Sequence, residues 1–240
     1  MSKIKKALEL PTEIFHNRKL VFSLAKNDFK TKYAGSYLGI VWAFVQPIVT
    51  ILVYWFVFSV GLKAGNASNY PFVLYLISGI VPWFFFQDAL NGGTNALLEY
   101  NYLVKKVVFN ISVLPVVKII SAMFVHAFFV LFTIILYAAY GKFPDIYYLQ
   151  IIYYSGCVFL LVLGLSYATS AIVIFFRDLT QIINIVLQVG VWLTPIMWIV
   201  ENSPLQGHPM IMKILKLNPM YYIVSGYRDT FLMKNWFWEH

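Results

Sequence analysis

The sequence contains little charge and a single cysteine. Charged residues make up only 12% of its 240 positions, against about 25% in an average soluble domain. Hydrophobic residues make up 60%, and the mean hydropathy is +0.73. Because Cys157 is the only cysteine, the chain can form neither an intrachain disulfide nor a cysteine-based metal site. The first twenty residues lack the apolar core and small-residue cleavage site of a signal peptide. The composition predicts an integral membrane protein.

Motifs for common catalytic chemistry are also missing. The sequence has no G-x-x-x-x-G-K-[ST] phosphate loop, no H-E-x-x-H zinc helix and no G-x-S-x-G nucleophile turn. Ionisable residues in or near the apolar runs are few: His126 lies alone, and Lys118 and Asp88 lie near the ends of their runs. A lone histidine in a span is more often a packing partner than a proton relay. The sequence therefore disfavours an ion-driven transporter, and any energy is expected to come from another protein.

Five apolar runs are long enough to cross a membrane, which takes roughly 20 residues for about 30 Å of hydrocarbon. They cover residues 39–62, 70–91, 114–140, 147–176 and 182–200. Pro47, Pro82 and Pro195 lie inside three of these runs, which predicts kinked helices whose freed backbone groups are satisfied by neighbours. The predicted fold is an all-α polytopic membrane helix bundle with five visible spans.

The segment before the first span, residues 1–38, is strongly basic. It holds eight lysines and arginines against three acidic residues, which places the N-terminus in the cytoplasm. The loop with Lys105 and Lys106 and the turn at Arg177 then lie on the same side. Residues 8–34 are predicted to form an amphipathic helix on the membrane surface, with Leu20, Leu24 and Val21 on its apolar side. The alternative is a plain basic anchor with loose structure.

The stretch "EYNYLVKKVVFN", residues 99–110, separates the second and third runs. Each lysine at the centre of a span costs about 2.5–3.5 kcal/mol, whereas each Leu, Val or Phe contributes only about 0.3–0.6 kcal/mol. The stretch is therefore predicted to lie outside the hydrocarbon, on the cytoplasmic side. Leu97, Tyr100 and Val104 recur at helical spacing, so the helix has a face to bury. It could lie against the bilayer or insert into a groove on a soluble partner, and the spacing leaves both open.

Several segments, in this order, carry a family resemblance. They are "FKTKYAGSYLGIVWAFVQPI", "GIVPWFFFQDALNGGTNALLEYNYLVKKVVFNISVLPVVK", "VIFFRDLTQI", "WLTPIMW" and "LNPMYYIVSGYRDTF". Over nearly the whole chain the sequence resembles the permease subunits of ABC-2 type exporters of polysaccharides and teichoic acids, and it looks most similar to the teichoic acid permeases. The resemblance implies a subunit that carries a lipid-linked glycopolymer across the bacterial cytoplasmic membrane for envelope assembly.

The resemblance also implies partners and their contact sites. In this family, two permease copies assemble with two ATP-binding subunits, and the partner binds ATP and Mg. This chain itself is not expected to be an enzyme. It is also not expected to bind a cofactor, a metal or nucleic acid. Residues 1–38 would be the interface segment and 39–240 the permease domain. A coupling helix at about 96–109 would contact the ATPase. The implied ATPase contacts are Glu99, Tyr100, Tyr102, Leu103, Val104, Lys105 and Lys106, with Arg177 and Asp178 at a second contact.

A path for sugar rings needs flat apolar faces. The aromatic candidates are Tyr54, Trp55, Trp83, Phe84, Phe85, Trp192, Trp198, Tyr221 and Tyr222. Aromatic residues near span ends are equally typical of the belts found in any membrane protein. In the outer segment, about 201–235, a re-entrant or interfacial hairpin is expected. There Arg228 could order the hairpin together with Asp229 or meet a phosphate of the polymer.

One departure and two alternatives complete the prediction. Members of the family continue into a sixth span, whereas this sequence stops at "WFWEH", so the last span is expected to be missing. One alternative is an ABC-2 permease that exports drugs or lipids. The other is a membrane-embedded enzyme acting on lipid-linked sugars, which is disfavoured because no paired carboxylates or histidine constellation is evident at a membrane surface.

Overall fold

The computed structural model describes residues 12, 14–62, 70–100, 111–199 and 207–239, and every regular element within them is helical. The helices are α1 (Arg18–Lys32), α2 (Trp42–Trp55), α3 (Phe72–Glu99), α4 (Leu114–Ala139), α5 (Gln150–Val173), α6 (Leu179–Leu193), α7 (Pro209–Lys216) and α8 (Pro219–Arg228). Short 3-10 turns precede α2, α4 and α5, and π-helical turns extend α2 to Gly61 and α8 to Met233. The predicted all-α bundle is confirmed.

Four helical segments are long and apolar enough to span a membrane. They are Gly39–Gly61, Phe72–Glu99, Ile111–Ala139 and Ile146–Val173, and they match the first four predicted runs. The fifth run differs, because α6 has only 15 residues and is about 22 Å long. Thr194 adopts extended backbone angles (φ −81°, ψ 131°), as the residue before a proline prefers, and Pro195 therefore ends the helix.

Helix α3 is the centre of the bundle and contacts α2, α4, α5, α6 and α8. Of its most apolar 18-residue window, 78% is buried, because apolar residues surround the helix on all sides. Small residues let its neighbours come close. A Cβ added to Gly93 would lie 2.2 Å from Ser166 Oγ and 2.6 Å from Ser166 Cβ on α5. The α3–α5 contact thus requires glycine at this position.

Helix α1 packs along the start of α4. Val21 and Ala25 are buried against Val113, Val116 and Val117. Of the three residues predicted for the apolar side, Val21 is 2% exposed and Leu24 packs against the same cluster, whereas Leu20 is 45% exposed. The apolar residues of α1 cover both its packed side and part of its outer side, and hydrophobicity alone does not distinguish the two.

Helix α8 is buried inside the bundle, whereas most of α7 is exposed. Tyr227 of α8 is buried, and its hydroxyl lies 3.0 Å from His126 Nε2 and 2.6 Å from Ser155 Oγ. Arg228 is also buried; its Nη2 donates to the Ile196 carbonyl at 2.8 Å, and its guanidinium lies 3.7 Å from the centre of the Tyr75 ring. These contacts of Arg228 order the hairpin against α3 and the segment after α6.

We expect Gly93→Ala to destabilise the bundle. The added methyl group must displace Ser166, at a cost of about 1–3 kcal/mol for an overpacked contact. Gly164→Ala on α5 is the matched control, since its Cβ would meet nothing within 4 Å. Thermal unfolding in detergent can be followed by the reaction of a fluorogenic maleimide with the single thiol, Cys157. Restoration of stability by Ser166→Gly is expected, and equal melting points for both alanine variants would refute the close contact.

Candidate functional site

The two ends of the bundle are defined by side-chain contacts. At one end, here called the α1 end, α1 meets the C-terminal end of α3 and the start of α4, and the start of α6 lies beside the same part of α3. Thr180 Oγ1 of α6 donates to Asn95 Oδ1 of α3 at 2.9 Å, and Thr94 and Thr169 join α3 to α5 at 2.8 Å. The opposite end holds the start of α3 and the end of α4, where the Tyr137 hydroxyl donates to the Leu74 carbonyl at 2.9 Å.

A charged cluster joins three helices at the α1 end. Lys118 of α4 lies 2.6 Å from Asp28 of α1 and also pairs with Glu99 at the end of α3. The Tyr100 hydroxyl donates to the same Asp28 oxygen at 2.7 Å. The side chains of Lys118 and Asp28 are 10% and 6% exposed, so removal of either one would leave the other as an uncompensated buried charge. The sequence puts Lys118 near the end of its apolar run, and the structure places it in an ion pair within the protein.

A second, more exposed pair lies beside this cluster. Lys32 Nζ of α1 contacts Asp88 Oδ1 of α3, and both side chains are more than a third exposed. Burial alone would lower the pKa of Lys32, but the Asp88 charge and hydrogen bond, with Tyr33 and Asp28, raise it above its ordinary value of 10.5. Lys32 therefore stays charged at physiological pH. Such an exposed pair is worth little in stability, but it ties α1 to α3 about three turns before α3 ends at Glu99.

The predicted ATPase contacts fall at this same end. Glu99 and Tyr100 belong to the charged cluster, and Arg177 and Asp178 are exposed in the α5–α6 turn. Tyr102, Leu103, Val104, Lys105 and Lys106 lie outside the described residues. The structure thus gives Glu99 and Tyr100 partners within the chain, and it presents Arg177 and Asp178 to the outside.

A cleft of about 650 Å³ runs along the bundle between α2, α3, α4 and α6. Its lining begins at Tyr33 and Asp88 near the α1 end and extends to Tyr54 and Trp192, whose ring centres are 6.2 Å apart. Trp83 forms part of the wall and packs against the backbone of α6 at Gly190. The cleft is larger than a second cavity of about 350 Å³ beside Lys118, and its size is that of a space that could hold a ligand.

Half of the residues predicted for the substrate path line this cleft. The five are Tyr54, Trp83, Phe84, Phe85 and Trp192. The other five, Trp55, Trp198, Tyr221, Tyr222 and Arg228, are not part of its lining. Trp198 donates its indole N–H to the Trp192 carbonyl at 3.0 Å. The rings of Tyr221 and Tyr222 pack against each other, with their centres 5.5 Å apart.

The cleft also contains polar residues that the sequence reasoning missed. They form three pairs spaced four residues apart: Gln46 with Thr50 on α2, Gln87 with Asn91 on α3, and Asn184 with Gln188 on α6. Residues at i and i+4 lie on one face of a helix, so each pair presents a polar strip to the cleft. Amides at this spacing inside apolar runs were the signal that could have identified them.

Polar atoms in the wall that have no hydrogen-bond partner among the described residues include the indole Nε1 of Trp83, a residue only 2% exposed, and Oδ1 of Asn91. Buried polar groups are normally satisfied by protein, water or ligand. A bound molecule with hydroxyl groups could accept from Trp83 and donate to Asn91. Among the described residues, no cluster of three metal-ligating side chains accompanies them.

Comparison with known proteins yields one family. The profile of the ABC-2 type transporter family matches residues 19–232. The O-antigen export system permease protein RfbA of Myxococcus xanthus is 29% identical over 227 residues, covering 93% of this chain and 84% of that protein. Two proteins of the same name from Klebsiella pneumoniae are 26% and 23% identical, each covering 89% of this chain and 80% of their own length.

Removal of the Lys118 charge is expected to destabilise the α1 end. Lys118→Met would leave Asp28 buried without its counter-charge, which costs about 3–5 kcal/mol and lowers the melting point by roughly 10 °C. The double variant Lys118→Met/Asp28→Asn should recover part of this loss, because no unpaired charge remains. Unfolding is measured as above, through the Cys157 thiol.

Lys234→Ala is the control for this experiment, because Lys234 pairs with Asp145 at 2.6 Å but its side chain is 53% exposed. Little or no change in melting point is expected for it. A loss with Lys118→Met no larger than with Lys234→Ala, or no recovery in the double variant, would contradict the role of the buried pair.

Proposed function

Because the chain belongs to the ABC-2 type transporter family, we propose that it is the permease subunit of an ATP-driven exporter that moves a lipid-linked polysaccharide across a bacterial cytoplasmic membrane. Such permeases are multi-pass membrane subunits, and a separate subunit hydrolyses ATP. The relatives that match along the chain are permeases named for O-antigen export, which supports a polysaccharide as the substrate class. O-antigen and teichoic acid are both glycopolymers within this proposal.

The cleft is the observation that carries the proposed substrate. Amides bind hydroxyl groups as both donors and acceptors, and flat aromatic rings pack against the C–H faces of sugars. Gln46, Gln87 and Gln188 reach the cleft from three different helices, beside Trp83 and Trp192. Exposed amides are unfavourable in hydrocarbon unless they face a polar path or a partner. A wet path lined by amides and aromatic rings suits a sugar chain.

The alternatives have less support from the same residues. An exporter of drugs or simple lipids would be expected to have a mainly apolar pocket, whereas three helices supply polar strips to this one. An enzyme acting on lipid-linked sugars would need an acid and a base within reach of the reacting bond. Asp88 is the only carboxylate among the described lining residues, and it pairs with Lys32.

The α1 end is the proposed docking face for the ATP-binding subunit. The basic excess of residues 1–38 favours a cytoplasmic position for this end, where the Arg177 turn also lies and where α3 ends shortly before Lys105 and Lys106 in the sequence. The ATPase would bind the segment that follows Tyr100, with Arg177 and Asp178 as a second contact. ATP and Mg would be held by that partner. Two copies of this chain, with the substrate path at or near their interface, would complete the exporter.

A large side chain in the cleft should block export. Gln188→Trp would fill the space between α6 and α3, and we expect at least about a tenfold loss of polysaccharide at the cell surface with lipid-linked polymer accumulating inside. Val186→Trp is the control on the same helix, since Val186 is 62% exposed and does not line the cleft. Surface and intracellular polymer are quantified in cells whose only permease is the variant. Normal export with Gln188→Trp would exclude the cleft as the path.

Charged substitutions in the segment after Tyr100 should release the ATPase. Tyr102→Glu/Val104→Glu is expected to abolish co-purification of the ATP-binding subunit without reducing the amount of permease in the membrane. Phe143→Glu provides the control, because Phe143 is 71% exposed in the turn at the opposite end of the bundle. The partner is identified by mass spectrometry after gentle extraction. Retention of stoichiometric ATPase by the double variant would count against this docking face.

A further inference from the structure

The charge of the cleft is unusual for a path that would carry an anionic polymer. None of its described lining residues is lysine or arginine, and Asp88 adds a carboxylate at the end nearest α1. Its one histidine, His126, has Nε2 within 3.0 Å of the Tyr227 hydroxyl and 3.3 Å of Ser155 Oγ, so hydroxyl groups already occupy that nitrogen. The cleft therefore offers amides, hydroxyl groups and aromatic rings, with no fixed cation.

The basic residues near the cleft are engaged elsewhere or point away. Lys32 is paired with Asp88 at the end of the cleft, and Lys118 is paired with Asp28 and Glu99. Both lysines line a second, smaller cavity of about 350 Å³ that shares Asp88 and Asn91 with the cleft, and neither lysine is among the described lining residues of the cleft itself. The remaining described lysines of α1 are exposed on its outer side. A second copy of the chain would contribute the same lining, so dimerisation would bring no cation from the described cleft residues.

Phosphate groups in proteins are met by arginine, lysine or backbone N–H groups at helix N-termini. Without such groups, an anion within the membrane is strongly disfavoured, which slows its passage on the order of a hundredfold. A polymer with a phosphodiester in every repeat would meet this barrier at each step. Hydroxyl groups of an uncharged sugar would exchange their water for the Gln46, Asn184 and Gln188 amides at little cost.

We infer that the cleft selects polysaccharides whose repeating units carry no negative charge, and that it rejects polymers with phosphodiester repeats. This inference rests on the proposed function and concerns the repeating units, not the lipid anchor. It goes against teichoic acid, which the sequence resemblance favoured, and it assigns the selection to the uncharged strips on α2, α3 and α6.

The test compares two polymers in proteoliposomes that contain the full permease–ATPase complex. One probe is a polyisoprenyl-linked chain of neutral hexoses, and the other has the same lipid and first sugars followed by glycerol phosphate repeats. ATP-dependent translocation is measured as loss of the polymer from the compartment that contains ATP, with ATP hydrolysis measured in parallel. The neutral chain is expected to move at least about tenfold faster than the phosphate chain.

The outcomes separate the inference from the proposed function. Equal rates, or faster movement of the phosphate chain, would overturn the inference and leave polysaccharide export standing. Hydrolysis of ATP with movement of neither polymer would refute the proposed function, and the inference with it. Preferential movement of the neutral chain supports both.

A cation placed in the cleft tests whether the charge of the cleft decides which polymer is moved. Gln188→Lys should raise the rate for the phosphate chain relative to the neutral one by about tenfold, because the new ammonium group faces the path. Gln181→Lys is the control, as Gln181 is exposed on the same helix outside the cleft lining. If the two lysine variants keep the wild-type ratio, the cleft charge does not set the selection. The wild-type comparison stands on its own if Gln188→Lys fails to insert.

Discussion

The ion pair between Lys118 and Asp28 fixes the position of α1, and with it the geometry of one end of the molecule. Both side chains are almost fully buried, and Tyr100 and Glu99 converge on the same two charges. Two isolated charges in such a place would be costly, so the pair holds only while α1, α3 and α4 remain together. The buried contact of Val21 and Ala25 with α4 supplies apolar area beside it. Helix α1 is thereby a part of the bundle and not merely a helix resting on it.

The cleft follows from a different constraint, the need to bury α3 on every side. Helices α4, α5 and α8 cover three of its sides closely, with Gly93 and Ser166 in contact. Helices α2 and α6 cover the remaining side incompletely, and the gap between them is the cleft. The short length of α6, ended by Pro195, and the largely exposed surface of α2 both contribute to this opening. The polar strips lie where the packing around α3 is incomplete.

The sequence predicted the parts of the fold that depend on composition and periodicity. The first four spans agree with the observed helices to within a few residues at most ends, and the exception is α3, which continues past residue 91 to Glu99 because its polar end is buried against α1 and α4. Length alone made 182–200 a span, whereas the backbone restriction before Pro195 ended α6 early. Propensity and hydropathy do not report such local limits.

The candidate site was harder to predict, because its residues come from four helices whose relative rotation cannot be read from one sequence. Aromatic residues were chosen as flat surfaces, and Trp83 and Trp192 do line the cleft whereas Trp55 and Trp198 do not. Nothing in hydropathy separates these two pairs, since all four lie in apolar runs. The amides were overlooked because each one is a minor interruption of such a run. Their i, i+4 spacing becomes informative only when three helices show it and face one space.

The charged end and the cleft share residues, which links the two parts of the proposed mechanism. Asp88 lines the cleft and pairs with Lys32 on α1, and Tyr33 of the same segment also lines it. Four residues earlier on α1, Asp28 is bound to Lys118 and Tyr100. A displacement of Tyr100 therefore acts directly on Asp28. Because Asp28 and Lys32 are one turn apart on α1, the same displacement also moves Lys32 and the end of the cleft at Asp88. The weak, exposed Lys32–Asp88 pair is the contact in this series that opens at least cost, while the buried pair keeps α1 in place.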